Sequence, residues 1–224
     1  MNTYFFPIYA VVLGVILVVV FKQHKKNYIK PLLGFSGAFL LAMTLFELLP
    51  EVYHHLDAKR TGLMIMLGIL LQVILEFFSK GAEHGHIHIH KKDNQFPWLL
   101  FVSLCLHSFL EGFPIHQHND MVYGIIVHKI PIAMLITSFL LQSSYTKPQI
   151  ITFLTIFTLM TPLGAFISNQ MQLPEQLLIH IHALVIGIFF HIATVILFES
   201  EDGHKLSFGK LIAILLGISI AYII

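Results

Sequence analysis

The sequence predicts an all-α integral membrane protein of eight transmembrane helices. Two observations carry that class. Of 224 residues, 56% are hydrophobic and 11% charged, and the mean hydropathy is +0.80, far more apolar than a water-soluble domain. Apolar runs of about 20 residues, the length a bilayer crossing requires, also recur along the whole chain between short polar breaks. They are expected at 4–21, 32–49, 61–78, 97–115, 121–142, 149–168, 176–198 and 206–224, with ends good to about 2–4 residues. These eight spans nearly exhaust the chain, so residues 1–224 read as a single transmembrane domain whose chemistry belongs to the bundle and its short loops.

The first run lacks a charged leader and a small-residue cleavage pattern, so it reads as a retained span rather than a removed signal. The second closes on Glu47 and Pro50, and the third carries Glu76 near its end. Both acids read either as residues reaching for the interface or as steps on an ion path. The fourth and fifth hold the densest intramembrane chemistry, described below. The seventh carries His180, His182 and His191, residues more often satisfied by helix neighbours than used as ligands. Cys105 is the only cysteine, which excludes an internal disulfide and a thiolate metal cluster and leaves it a packing role.

Cations set the expected orientation, because short cytoplasmic loops are enriched in Lys and Arg. Lys22, Lys25, Lys26, Lys30, Lys80, Lys91, Lys92, Lys147, Lys205 and Lys210 follow odd-numbered spans, whereas only Lys59 and Arg60 fall in the even loops. Both termini are therefore expected outside the cell, in a multi-pass protein of the plasma or bacterial inner membrane. The longest polar break, at about 80–96, is then cytoplasmic. It places His84, His86, His88 and His90 at every second position, so that extended chain would bring four imidazoles to one side, a weak binding tract for zinc-like ions. The competing reading is a solvated loop with no metal role.

Inside the fourth span, His107 and Glu111 are four apart, which stacks them on one face of a helix. His128 and Lys129 sit in the fifth span after a short HQHND turn, so the two helices are expected to be neighbours. A charged group at the bilayer centre costs about 2.5–3.5 kcal/mol on insertion scales, so such residues mark a site or a pathway by default. His107, Glu111 and His128 supply two imidazoles and a carboxylate, a donor set suited to zinc, iron or manganese that leaves a coordination position open for exchange. Pro114 and Pro131 lie beside these residues and are expected to free the carbonyls of Leu110 and Val127 towards a wet cavity.

Lys129 has two readings. Its ammonium can take the place of a second metal by pairing with Glu111, leaving a single ion site, or the two can neutralise each other with no metal involved. Towards the outer side, His116, His118 and Asp120 are candidates for gathering ions at the mouth.

These motifs resemble the ZIP (zinc- and iron-regulated transporter-like) family of metal transporters. The family's fourth-span pattern is matched by His107, Ser108, Glu111 and Gly112, and its fifth-span pattern, in the branch with Lys, by His128 and Lys129. FELLPE at 46–51 and TLMTPLGAF at 158–166 are further echoes. The chain departs from many members at Ile132, where an acid or His is usual, and at Glu47, where His is frequent; Ser108, Lys129 and Thr161 weaken the second metal position of two-site members. The resemblance implies a 3+2+3 arrangement with inverted three-helix repeats around central spans four and five. It further implies one transported ion at a time, held by His107, Glu111 and His128 and modulated by Ser108, Lys129 and Glu47.

The function expected is uptake of a divalent transition metal into the cytoplasm through one transmembrane transporter domain. Zinc is the first expectation, with Fe²⁺, Mn²⁺ or Cd²⁺ as other cargo, and the ion is substrate rather than cofactor. No nucleotide motif is present, so ATP is not expected. The partners are the metal ions and the lipid bilayer, with a homodimer left open and nucleic acid excluded. Two rivals stand: an exporter of the same ions, and an intramembrane zinc hydrolase. The second would want an HExxH-type arrangement, which the sequence lacks.

Overall fold

A computed structural model describes residues 3–21, 29–79, 96–115, 120–171, 173–198 and 207–224, and every regular element among them is helical. The helices are α1 (Phe6–Phe21), α2 (Ile29–Met43), α3 (Leu49–His55), α4 (Ala58–Ser79), α5 (Trp98–Leu110), α6 (Met121–Gln142), α7 (Lys147–Gln170), α8 (Glu175–Phe198) and α9 (Phe208–Ile223). Among the described residues, seven helical stretches are long and apolar enough to cross a membrane, α2 and α3 counting as one of them, and α9 with 16 residues is a shorter eighth. Large apolar side chains such as Leu63, Met66, Phe77, Ile151 and Leu215 cover the outside, the surface hydrocarbon would solvate. The chain is thus an all-α, multi-span membrane protein.

One span differs from expectation in extent and one in regularity, both at prolines. The second span was expected to end at 49, but it continues to His55 through a π-helical turn, Thr44–Leu48, that joins α2 to α3. Pro50 lacks an N–H, and it falls at the start of α3, where the missing donor costs least. The wider turn before it lets one continuous span pass the proline. The fourth span keeps its expected extent, Trp98–Ile115, but not as one α-helix. Its helix ends at Leu110, Glu111 forms the C-cap in helical conformation, and a short 3-10 turn follows at Phe113–Ile115. Pro114 therefore lies beyond the helix end and does not kink it. Pro131, by contrast, lies within continuous α6.

The helices sort into two groups by packing. In one, α1 packs on α6 and α7, and α5 on α7; Val11, Leu104, Ile132, Ile136, Phe153 and Phe157 fill the space between them. In the other, α2 packs on α8 and α9, and α4 on α8. The groups meet where α2 touches α6 and α4 touches α5. Exchanging spans one to three for six to eight, and four for five, carries α1·α6 onto α7·α5 and α2·α9 onto α8·α4. Within each group, that is the pairing a 3+2+3 arrangement of repeats produces; the contacts between the groups, α2·α6 and α4·α5, do not follow the exchange.

Glycine sets the closest approaches. A Cβ on Gly68 of α4 would strike the carbonyl of Leu184, and one on Gly187 of α8 would strike that of Ile65. Gly112 and Gly164 do the same for α5 and α7, against the carbonyls of Thr161 and Phe109. Small residues let membrane helices touch backbone to backbone, where dispersion replaces the hydrophobic driving force absent in lipid.

Candidate metal centre

The Gly112–Gly164 crossing fixes α5 against α7 at the depth where α5 ends, and there the charged residues converge. His107 stands on the last turn of α5 and Glu111 caps it. Their spacing brings His107 Nε2 to 3.3 Å from Glu111 Oε2, with side-chain exposures of 3% and 1%. The end of α5 is tied down in turn by Ser168 of α7, whose hydroxyl donates to the Phe113 carbonyl at 3.0 Å.

From α6 come His128 and Lys129, each 2% exposed. Successive residues on a helix point about 100° apart, so the two serve different sides of the cluster. His128 turns its ring edge-on to His107, with ring centres 6.3 Å apart. Lys129 forms an ion pair with Glu111 Oε1 and donates to Ser108 Oγ at 2.9 Å. Its Nζ also lies 4.5 Å from the centre of the Phe157 ring, within cation–π range. Thr161 of α7 completes the cluster. Its Oγ1 is 2.7 Å from Glu111 Oε1 and 2.9 Å from the Ser108 carbonyl, so one hydroxyl proton is shared between two acceptors.

The two carboxylate oxygens of Glu111 thus have different surroundings. Oε1 is held by Lys129 and Thr161, while Oε2 faces His107. A divalent ion drawn to Oε2 and the two imidazoles would meet carboxylate and nitrogen donors, with Lys129 occupying the other side of the acid. Two imidazoles on one tetrahedral ion have ring centres roughly 5 Å apart, given Zn–N distances of about 2.0–2.1 Å, so a modest inward movement of His107 and His128 is required. Among the described residues, no three His, Cys, Asp or Glu side chains are already closed around one point.

Other expected site residues fall elsewhere. Glu47 lies in the π-helical turn and is exposed, next to exposed Leu45 and Phe46, whereas the cluster is buried. Asp120 is exposed at the start of α6. His116 and His118, like His84, His86, His88 and His90, lie outside the described residues. Of the seventh-span histidines, His180 bonds within its own helix, to the Gln176 carbonyl at 2.5 Å. His182 is fully buried. His191 reaches across to Glu76 of the neighbouring α4.

Phe157 escaped the sequence reading because a phenylalanine in an apolar run carries no signal of its own. Only its position one turn before Thr161 hinted that it faces the same cluster.

The family described as ZIP Zinc transporter matches residues 82–224, a stretch that holds α5 to α9 and every residue of the cluster. Among curated relatives, Zinc transporter ZIP1 of Danio rerio is 26% identical over 151 residues, covering 62% of this chain and 50% of the relative. Protein zntD of Dictyostelium discoideum is 25% identical over 151 residues, covering 56% of this chain and 22% of the relative. The chain thus spans half or less of the length of these relatives. With its fourth- and fifth-span motifs gathered into one buried cluster inside the matched region, the chain belongs to the ZIP zinc transporter family.

Proposed function

We propose that this chain carries divalent transition-metal ions, Zn²⁺ first among them, across a cell membrane into the cytoplasm through one intramembrane site. The observation that carries the reading is the buried set of His107, Glu111 and His128, with Lys129 on the opposite oxygen of the same carboxylate. Lys129 fills the space a second cation would take beside Glu111, so the cluster itself holds one ion at a time. Zinc and its neighbours suit two imidazoles and a carboxylate better than Na⁺ or Mg²⁺ do.

The cluster is built by α5, α6 and α7, all from one helix group, while α2, α4 and α8 belong to the other. Movement of the first group against the second would carry an intact site from one membrane face to the other, the general plan of alternating access. The lysine distribution supports odd loops in the cytoplasm and termini outside.

Purified protein in liposomes, preloaded with a zinc-sensitive dye and free of ATP, tests the proposal. Zinc should enter, and His107→Ala, Glu111→Ala and His128→Ala should each abolish entry while reconstituting to wild-type levels. Zinc flux that survives all three substitutions refutes the site; vesicles of known orientation settle direction.

A further inference from the structure

We propose that Glu76 of α4 and His191 of α8 form a second, weaker binding site for a divalent transition-metal ion, separate from the central cluster. His191 Nε2 lies 2.5 Å from Glu76 Oε2, with side-chain exposures of 16% and 27% respectively, so the pair is sheltered but reachable. A carboxylate and an imidazole paired across two membrane-spanning helices, with Glu76 about one turn inside its helix end, mark a candidate site. The Gly68–Gly187 crossing, elsewhere along the same two helices, brings α4 and α8 together backbone to backbone.

The surroundings form a polar track. From the Gly68 crossing onward, α4 is apolar except for Gln72, Glu76 and Ser79, spaced four and three apart and therefore on one face. Gln72 and Ser79 are buried, and Ser79 Oγ donates to the Glu76 carbonyl at 3.2 Å. Glu76 is three residues from the end of α4, about 5 Å along the axis, while His107 is nine residues from the start of α5, about 14 Å. Consecutive spans put those two helix ends at the same membrane face, so the pair lies between the depth of the central cluster and that face.

The pair also belongs to the other helix group. α4 is the element of that group that packs on α5, the helix bearing His107 and Glu111. An ion leaving the central site towards this face meets one carboxylate oxygen and one imidazole nitrogen, with water filling the remaining positions. Two protein donors bind a zinc-like ion loosely enough to let it go, as passage requires. Binding at the pair is independent of the central cluster; only the source of the ion rests on the transport reading.

The test uses the full-length protein with His84, His86, His88 and His90 replaced by Ser, to remove the loop donors, and Cd²⁺ binding counted by equilibrium dialysis up to millimolar metal. His191→Gln should lose one Cd²⁺ per chain and Glu76→Gln the same one, while Glu76→Asp, which keeps an oxygen donor, should bind it more weakly. The ion lost should be the weaker of two. His107→Ala with His128→Ala should lose the tighter ion and keep the weaker. Unchanged stoichiometry and affinity in both His191→Gln and Glu76→Gln overturns the second site. Retention of both ions in the His107/His128 double variant instead counts against the central site alone. Elution as a folded species in every variant, with Glu76→Asp as the mildest change, keeps the comparison interpretable.

Discussion

Lys129→Met should be the most informative substitution in the cluster. Lys129 and Glu111 are 2% and 1% exposed, so their opposite charges compensate each other where water cannot. Breaking a buried pair by removing one partner costs about 3–5 kcal/mol, because the remaining charge is stranded, whereas replacing both with neutral groups is often nearly neutral. The metal-free variant should therefore unfold more readily by roughly two to three and a half orders of magnitude in the equilibrium constant. Lys129→Met combined with Glu111→Gln should recover most of the loss, giving a coupling energy that a double-mutant cycle reads directly. Zinc bound at Glu111 supplies the missing positive charge, so added zinc should stabilise the single variant more than the wild type, and the double variant little. Unfolding in detergent by denaturant, with a chelator or with saturating zinc, measures all four cases. A metal-free Lys129→Met protein within about 0.5 kcal/mol of wild type would refute the compensation argument, as would equal zinc stabilisation of wild type and variant.

Thr161→Val keeps the shape but removes the hydroxyl that serves Glu111 and Ser108; stability should fall by about 1–3 kcal/mol, and zinc transport should drop while Thr161→Ser retains both, read by unfolding and by liposome flux. Gly164→Ala forces a methyl group onto the Phe109 carbonyl, an overpacking that costs typically about 1–3 kcal/mol and spreads α5 from α7; thermal unfolding should show it, while Gly62→Ala, inside α4 and meeting nothing within 4 Å, should cost nothing and gain up to about 1 kcal/mol of helix stability. If His116, His118 and Asp120 gather ions at the mouth, replacing all three with Ala should raise the half-saturating zinc concentration without lowering maximal flux, and unchanged half-saturation removes that role.

Local chemistry made a good part of this legible. The fifth span was read at its observed limits, Met121–Gln142, because apolar length and polar flanks suffice to bound a helix that stays regular despite Pro131. The His107–Glu111 pair followed from helical spacing alone, and the approach of Lys129 to Glu111 from the need of each charge for a partner in hydrocarbon. The longer second span and the interrupted helix of the fourth share a cause. Pro50 and Pro114 look alike in sequence, yet one is passed through a π-helical turn inside a continuous span and the other follows a helix end. The difference depends on what the surrounding helices offer the freed backbone groups.

The sequence by itself determined that the chain is a bundle of apolar helices and which ionisable residues require an explanation, since both follow from the cost of polar groups in hydrocarbon, a property of each segment. Tertiary structure decided who meets whom: that Phe157 supports Lys129, that His191 pairs with Glu76 of the adjacent α4, that Glu47 is exposed while the cluster is buried, and that spans one to three and six to eight share a pairing pattern not visible as a sequence repeat. Those choices are set by backbone approach at small residues such as Gly68, Gly112, Gly164 and Gly187, and fitting one helix surface to another is a property of pairs.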